Sequence, residues 1–212
     1  GLSTFTSTDK GETGEWFRPD VSYTDDIQVP GAWDAQGFGP ETEKLRHNFI
    51  GKGWYARDIE IPGDWRGRRV FLRFGGVYRA AKVWANGHFV GRHLGYVSEF
   101  EFDLSPFIEF GTKNRLVVQV DSEQRWEEDA LQGCMDVIDH LYTYWGGIWG
   151  HVDIEARSAA WLDDVFIVPR TAPETGCTVT ARIAGDVAGG AAAVLTVSDA
   201  EGVLVASRRV EV

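Results

Sequence analysis

The sequence predicts an all-β protein built as an antiparallel β-sandwich, and three observations lead to this fold class. Aromatic residues make up 13% of the 212 residues, whereas Met occurs once. This balance is typical of sheets, because flat rings pack well on a pleated surface. Short apolar runs recur along the chain between turn signals. No segment has the long, capped apolar period that would indicate a helix.

Seven strands are predicted in the first part of the chain, each an apolar run that ends at a turn signal. Asn86-Gly87 separates the third from the fourth and is a strong hairpin signal, because both positions tolerate the positive φ of a type I′ turn. In the seventh strand Val152, Ile154 and Ala156 alternate with polar residues, so one of its faces is expected to be solvated. The predicted strands span residues 54–61, 69–74, 80–85, 88–91, 100–104, 114–120 and 151–156.

A change of composition near residues 157–160 predicts a domain boundary. Beyond it Gly, Ala, Val and Thr dominate, and the only large aromatic residues are Trp161 and Phe166. We predict two domains, 1–158 and 159–212. The second is expected to be a partial β-sandwich with an unpaired edge that favours self-association, since an immunoglobulin-like sandwich needs about seven strands over ~100 residues. Its strands are predicted near residues 165–168, 178–184, 193–198 and 203–212.

The charge balance excludes several classes of partner. With 21 basic and 32 acidic residues the formal net charge is −11, which argues against nucleic acid and against an anionic membrane surface. No apolar run is long enough to span a bilayer. The N-terminus lacks a signal peptide pattern and also an initiator Met, so the compartment is left open between the cytoplasm and secretion with the signal removed. Cys134 and Cys177 are interpreted as free thiols, and a single disulfide bridge between them is the alternative.

No complete catalytic apparatus is present in the sequence, and we predict no catalytic residue, metal or cofactor. The acidic run at 127–129 is interpreted as a solvated face. The five histidines are scattered without the spacing of a zinc site, and neither a GxSxG nucleophile turn nor a phosphate-binding loop occurs.

The strongest functional signal lies in the stretch 126–149, which reads WEEDALQGCMDVIDHLYTYWGGIW. Loops longer than about 12–15 residues within a compact domain are usually functional or disordered, and the aromatic content argues against disorder. Sugar C–H faces stack on aromatic rings such as Tyr144 and Trp145, while acidic side chains accept hydrogen bonds from hydroxyl groups. The alternative interpretation is that the aromatic residues only close the end of the sandwich.

Four stretches, in this order and spacing, resemble the N-terminal sugar-binding domain of family 2 glycoside hydrolases, the group of β-galactosidases, β-glucuronidases and β-mannosidases. The resemblance covers about residues 15–157 and implies a galactose-binding-like jelly-roll β-sandwich. The tail from Trp161 resembles the start of the immunoglobulin-like second domain of these enzymes, which implies a partial immunoglobulin-like β-sandwich in this chain. The stretches are GKGWYARDIEIPGDWRGRRVFLRFGGV (51–77), AKVWANGHFVGRHLGYVSEFEFDLSP (81–106), GTKNRLVVQVD (111–121) and GGIWGHVDI (146–154), preceded by VPGAW (29–33).

The resemblance implies a function for the parent enzyme and sugar contacts for this chain. Family 2 enzymes carry their two catalytic glutamates on a C-terminal (β/α)₈ barrel and hydrolyse β-glycosides with retention, so these residues alone are expected to be inactive. In some members the Asn of the hairpin, here Asn86, reaches the sugar; the alternative is that Asn86 is only a turn residue. Members commonly have an Asp where this chain has Leu141, and Asp139 is the candidate substitute.

The expected partners are the non-reducing end of a β-glycoside, the protein's own catalytic barrel and a second copy of the chain. Two alternatives to an accessory sugar-binding domain remain open at this point. One is a free-standing carbohydrate-binding module, and the other is a structural scaffold that packs against the barrel. The candidate substrate-binding residues are Asn86, Asp139, Tyr144 and Trp145.

Overall fold

The computed structural model describes residues 2–6, 10–41, 47, 49–95, 98–123, 146–171 and 176–211. Its described residues are almost entirely β-structure, which confirms the predicted all-β class. A short helix, Lys10–Thr13, and 3₁₀ turns at Asp34–Gln36 and Gly63–Trp65 are the exceptions. The strands are β1 (Leu2–Thr6), β2 (Gly31–Ala32), β3 (Lys52–Ile61), β4 (Arg69–Phe74), β5 (Val77–Tyr78), β6 (Ala80–Ala85), β7 (His88–Leu94), β8 (Phe100–Asp103), β9 (Thr112–Asp121), β10 (Gly147–Ile148), β11 (Val152–Arg157), β12 (Ala160–Arg170), β13 (Gly176–Gly185), β14 (Ala192–Ser198) and β15 (Leu204–Glu211).

The chain divides into two compact units, Gly1–Ala156 and Arg157–Val212. The first unit contains an antiparallel five-stranded sheet in the order β1-β3-β9-β6-β7. Two three-stranded sheets accompany it, β11-β4-β8 and β2-β10-β5. The assignment of separate domains to 1–158 and 159–212 stays a prediction.

The hairpin predicted at Asn86-Gly87 joins β6 to β7. Both residues have positive φ, 50° at Asn86 and 83° at Gly87, as a type I′ turn requires. The register pairs Ala85 with His88 across the turn. The strand after the turn runs on to Leu94, three residues further than its apolar pattern indicates.

The core of the first unit lies where the inward faces of the sheets meet. Val70, Leu72 and Phe74 are buried on the face that the alternation in β4 predicts. In β11 the pattern holds only in part, since Ile154 and Ala156 pack on the core whereas Val152 is 36% exposed. The largest fully buried side chains of the first unit include Trp33, Trp54, Phe74, Ile61 and Leu72.

Residues 10–23, which we call the N-terminal strap, cover the outer face of the five-stranded sheet. A second, smaller cluster forms there from Trp54, Ala56, Trp84 and Val117, with Trp16, Phe17 and Tyr23 of the strap packed against it. At the far end of the strap Arg115 donates to the Val21 carbonyl at 2.9 Å and lies over the Tyr23 ring. The strap therefore gives this face an apolar covering of its own.

The second unit consists of two antiparallel hairpins, β12–β13 and β14–β15, in the described residues. All four strands were predicted, although three of them are longer than the apolar runs that signalled them. Many of their apolar side chains are exposed, among them Phe166 at 63%. Cys177 is an exposed free thiol, as expected, whereas Cys134 lies outside the described residues.

Within the described part of the chain, no helix has the length and apolar character needed to cross a membrane.

Candidate functional site

The described residues that flank the 124–145 stretch lie near one end of the five-stranded sheet, which we call the loop end. β9 delivers the chain to this end at Asp121, which pairs with Ala80 of β6. The chain returns at β10, where Gly147 pairs with Tyr78 of β5. Because Tyr78 and Ala80 are near neighbours in the chain, the departure and the return of the stretch lie side by side.

A polar cavity of about 440 Å³ opens at the loop end, on the side of the sheet that the strap covers. Its volume is in the range of small-ligand sites. It combines cationic and acidic side chains with an amide, in a chain whose formal charge is strongly negative. The polar residues that line it are Glu12, Lys52, Arg79, Lys82, Arg92, His93, Gln119, Asp121 and Glu123.

A hydrogen-bonded group of three side chains forms one wall of this cavity. Lys82 and Gln119 lie directly opposite each other on β6 and β9. The Glu12 carboxylate of the strap accepts from Lys82 Nζ at 2.6 Å and from Gln119 Nε2 at 3.2 Å. The wall thus presents an ammonium, an amide and a carboxylate, which are groups that hydrogen-bond to sugar hydroxyls.

Charged side chains are buried beside this wall. Lys52 and Asp121 are cross-strand neighbours in β3 and β9 and are only 5% and 6% exposed. Arg79 is buried as well, and its backbone N–H donates to the Asp121 carbonyl at 3.0 Å. Buried charges are tolerated where partners satisfy them, so this end of the sheet is expected to be rigid.

The return of the chain at Gly146 is fixed by Trp33, which is fully buried. Trp33 donates its backbone N–H to the Gly146 carbonyl at 2.9 Å. A Cβ at residue 53 would lie 2.6 Å from the Trp33 ring, and one at residue 146 would lie closer still. Glycines are therefore required on both sides of the indole.

Asp34 and Tyr55 form a second polar group next to Gly146. The Asp34 carboxylate accepts from the Gly146 N–H at 3.4 Å. Burial raises the pKa of the Asp34 carboxyl, against the opposing effect of backbone hydrogen bonds. Burial also raises the pKa of the Tyr55 phenol, and the charge of Asp34 adds to that shift.

We expect Asp34→Asn to change the free energy of unfolding more favourably at pH 7 than at pH 3. The raised pKa means that the folded state binds more protons than the unfolded state between the ordinary value of 3.8 and the folded value. The free energy of unfolding therefore falls as pH rises through that window, and the asparagine removes this loss while keeping an acceptor for Gly146. Urea unfolding at several pH values measures the difference. Asp26→Asn, at an exposed position, is the control, and an equal pH profile for both variants would contradict the assignment.

A second cavity, of about 760 Å³, lies between β3 and β11 and is lined largely by apolar side chains. Ile59, Leu72 and Val118 are among these residues. It contains fewer groups that can bond to hydroxyls than the loop-end cavity, so the latter is the better candidate for a polar ligand.

Asn86 lies at the opposite end of β6 from the loop end, about 20 Å away for a six-residue strand. Its Nδ2 donates to the Phe107 carbonyl at 2.9 Å and to Asn114 Oδ1 at 2.8 Å. Its Oδ1 accepts from the Arg115 N–H at 2.9 Å. The structure thus gives Asn86 a role within the fold, and its contact with a sugar stays a prediction.

The other three candidate residues, Asp139, Tyr144 and Trp145, lie outside the described residues, and their sugar contacts likewise stay predictions. Sequence reasoning did not identify Glu12, Lys82 and Gln119. A signal was available for two of them, because Lys82 interrupts the apolar strand β6 and Gln119 interrupts the apolar run at 116–120 of β9. Glu12 had no such signal, because only its hydrogen bond with Gln119, 107 residues later in the chain, places it in the cavity.

The described residues contain no group of His, Cys, Asp and Glu side chains that could hold a metal ion.

Residues 3–156 match the family model of the sugar binding domain of glycosyl hydrolases family 2. The chain belongs to this family. The match spans nearly all of the first unit, including every residue named above for the loop-end cavity.

Curated relatives of this family 2 domain include two enzymes with different names. A β-galactosidase of Thermoanaerobacter pseudethanolicus is 33% identical over 116 residues, which are 54% of this chain and 15% of that enzyme. A β-glucuronidase of Bacteroides fragilis is 28% identical over 129 residues, 60% of this chain and 17% of that enzyme. The chain therefore spans about a sixth of the length of these relatives.

Solved structures agree with the fold of the family 2 domain. The apo β-glucuronidase of Ruminococcus gnavus superposes with a TM-score of 0.78 at 20% identity, over 100% of this chain and 37% of that one. This agreement supports the jelly-roll sandwich, and with it the fold class predicted from the sequence.

Proposed function

We propose that this sugar-binding domain takes a carbohydrate at the loop-end cavity, as an accessory part of an enzyme that hydrolyses β-glycosides. The observation that carries the proposal is the position of the cavity. It lies beside the point where the aromatic and acidic stretch 124–145 leaves the sheet after Glu123. The cavity supplies polar groups for hydroxyls, and the stretch that follows Glu123 in the sequence carries aromatic residues of the kind that stack on sugar C–H faces.

The groups in the cavity suit a neutral or acidic sugar. Lys82 and Gln119 supply hydrogen-bond donors for sugar hydroxyls. Backbone pairing of β9 with β6 holds Gln119 directly opposite Lys82. Preorganised donors and acceptors limit the entropy lost on binding.

We further propose that the whole protein is a retaining β-glycosidase whose two catalytic glutamates lie on a (β/α)₈ barrel. The membership of the family and the small share of the relatives that this chain spans support this proposal. The non-reducing end of the β-glycoside is then the partner of the loop end, and residues 1–212 alone are expected to be inactive. We also propose that copies of this chain associate with one another.

A structural role is the second candidate, and the exposed apolar side chains of the second unit favour it. Leu162, Phe166 and Val205 are each more than 60% exposed. Apolar surface of this kind usually marks a contact with another domain or subunit. This role predicts no sugar binding by the chain and association that increases with concentration.

We expect Lys82→Met to weaken sugar binding about tenfold, because it removes a charged hydrogen-bond donor while keeping most of the side-chain volume. The measurement is a tryptophan-fluorescence titration with galactose, glucuronate, mannose and their β-linked oligosaccharides. Lys113→Met, on the same sheet at the opposite end of β9, should leave the affinity unchanged. Trp145→Ala in the same titration tests the aromatic part of the site.

Equal losses in the Lys82 and Lys113 variants would show that the cavity is not the site. A flat response of the wild-type chain to every sugar would favour the structural role.

A further inference from the structure

The N-terminal strap places a carboxylate of its own in the loop-end cavity. Glu12 Oε1 accepts from Lys82 at 2.6 Å and from Gln119 at 3.2 Å. Lys82 and Gln119 belong to the sheet, whereas Glu12 comes from a segment that crosses the sheet from outside. An acid group from outside the sheet is therefore already bound at the position proposed for the ligand.

The strap is held to the sheet by contacts that do not involve the Glu12 side chain. Gly11 packs directly against the Trp54 ring. Phe17 stacks on Trp84 with ring centroids 5.4 Å apart, and Trp16 meets Trp54 edge-on at 5.9 Å. The Glu12 side chain can therefore change rotamer and leave Lys82 while the strap stays in place.

The ion pair between Glu12 and Lys82 is accessible to solvent. The Glu12 side chain is 33% exposed and the Lys82 side chain 36%. Ion pairs of this kind contribute little to stability because water screens them. An external anion can thus compete for Lys82 without a large penalty.

A second cation lies next to Lys82 at the cavity. Arg92 of β7 is the direct cross-strand neighbour of Lys82 and also lines the cavity. It is exposed and makes no ion pair with the described residues. Once Glu12 has turned away, Lys82 and Arg92 together present two positive charges on one face of the sheet.

We propose that Glu12 is a built-in competitor for the acid group of a carbohydrate ligand, a carboxylate or a sulfate that Lys82 and Arg92 bind when Glu12 turns away. This inference rests on the proposed function, because it concerns the same cavity. It adds a regulation of that site: neutral sugars bind independently of the Glu12 side chain, whereas acidic sugars must displace it.

The test compares the wild-type chain with Glu12→Ala in titrations with galactose, glucuronate and galactose 6-sulfate. We expect Glu12→Ala to bind the two acidic sugars about three- to fivefold more tightly, the gain expected from removing a partly exposed ion pair. The affinity for galactose should change by less than twofold. Raising the salt concentration should reduce the gain for the acidic sugars, because salt screens exposed charges.

Glu15→Ala is the matched control, since Glu15 lies on the same strap and pairs with Arg18 at 3.1 Å outside the cavity. It should leave all three affinities unchanged. A gain for one acidic sugar alone would identify the carboxylate or the sulfate as the natural group.

If wild-type chain binds galactose but Glu12→Ala gives no gain with either acidic sugar, the competitor role is wrong and the proposed function stands. If neither variant binds any of the three sugars, the proposed function fails and the inference fails with it. Weaker binding of acidic sugars by Glu12→Ala would instead make Glu12 a ligand-binding residue and would overturn the inference.

Discussion

Trp33→Ala is expected to lower the free energy of unfolding of the first unit by about 3–5 kcal/mol, the range for removing a large buried aromatic side chain. The indole is fully buried, meets Phe49 edge-on at 5.8 Å and lies between Gly53 and Gly146. The glycines on both sides carry no side chain that could move into the space. The cavity would therefore remain open, which is the condition that places a substitution at the upper end of the range.

Urea unfolding followed by tryptophan fluorescence measures this loss, because every tryptophan except Trp161 belongs to the first unit. Phe89→Ala is the matched control, since Phe89 is 50% exposed and its loss should cost less than about 1 kcal/mol. The same Trp33 variant should lose sugar affinity, because Gly146 would keep its backbone hydrogen bond but lose its packing against the indole. A loss no greater than that of the control would show that Trp33 does not organise this edge.

Asn114→Ala is expected to lower the free energy of unfolding by about 3 kcal/mol, because it leaves several buried polar groups without partners. Asn114 is 1% exposed. Its Oδ1 accepts from Asn86 Nδ2 at 2.8 Å and from the Glu109 N–H at 2.7 Å. Its Nδ2 donates to the carbonyls of Glu109 and Thr112 at 2.8 and 3.1 Å.

Asn86→Ala should be destabilising by a similar amount, since it removes three hydrogen bonds of the same group. The double variant should lose less than the sum of the single losses, because the two amides share one hydrogen bond. Thr112→Ala, which leaves the Thr112 carbonyl in place, is the control for both. Fully additive losses, or an Asn86 variant of normal stability that no longer binds sugar, would contradict a structural role for this pair.

The long strands of the fold were predictable from the sequence because each carries its signal within itself. Alternation at Val70, Leu72 and Phe74 identifies the buried face of β4, and Asn86-Gly87 identifies the turn between β6 and β7. The two-residue strands β2, β5 and β10 carry no comparable signal. They exist because Gly147 pairs with both Ala32 and Tyr78, and pairing between distant residues is not a property of any local pattern.

The residues that line the polar cavity were not predictable from the sequence. The aromatic and acidic composition of 126–149 drew attention to the stretch that follows Glu123, which lines that cavity, and the site residues predicted within that stretch stay predictions. Glu12 could not be identified, because its significance depends on a hydrogen bond with Gln119, 107 residues away. For Asn86 the turn could be predicted from the sequence, but the role of its side chain could not. Its hydrogen bond to Asn114 joins residues 28 positions apart.

The contacts that close the first unit also determine when it can fold during synthesis. Glu12 bonds to a residue 107 positions later, and Asp34 bonds to Gly146, 112 positions later. At a translation rate of roughly 5–20 residues per second, the strap leaves the ribosome about 5–20 s before its partner strand is made. Folds dominated by such non-local contacts also form slowly once the chain is complete. The aromatic partners of Trp16 and Phe17 are Trp54 and Trp84, which are made 38 and 67 positions later, so on the nascent chain both strap side chains face water until those residues have been added.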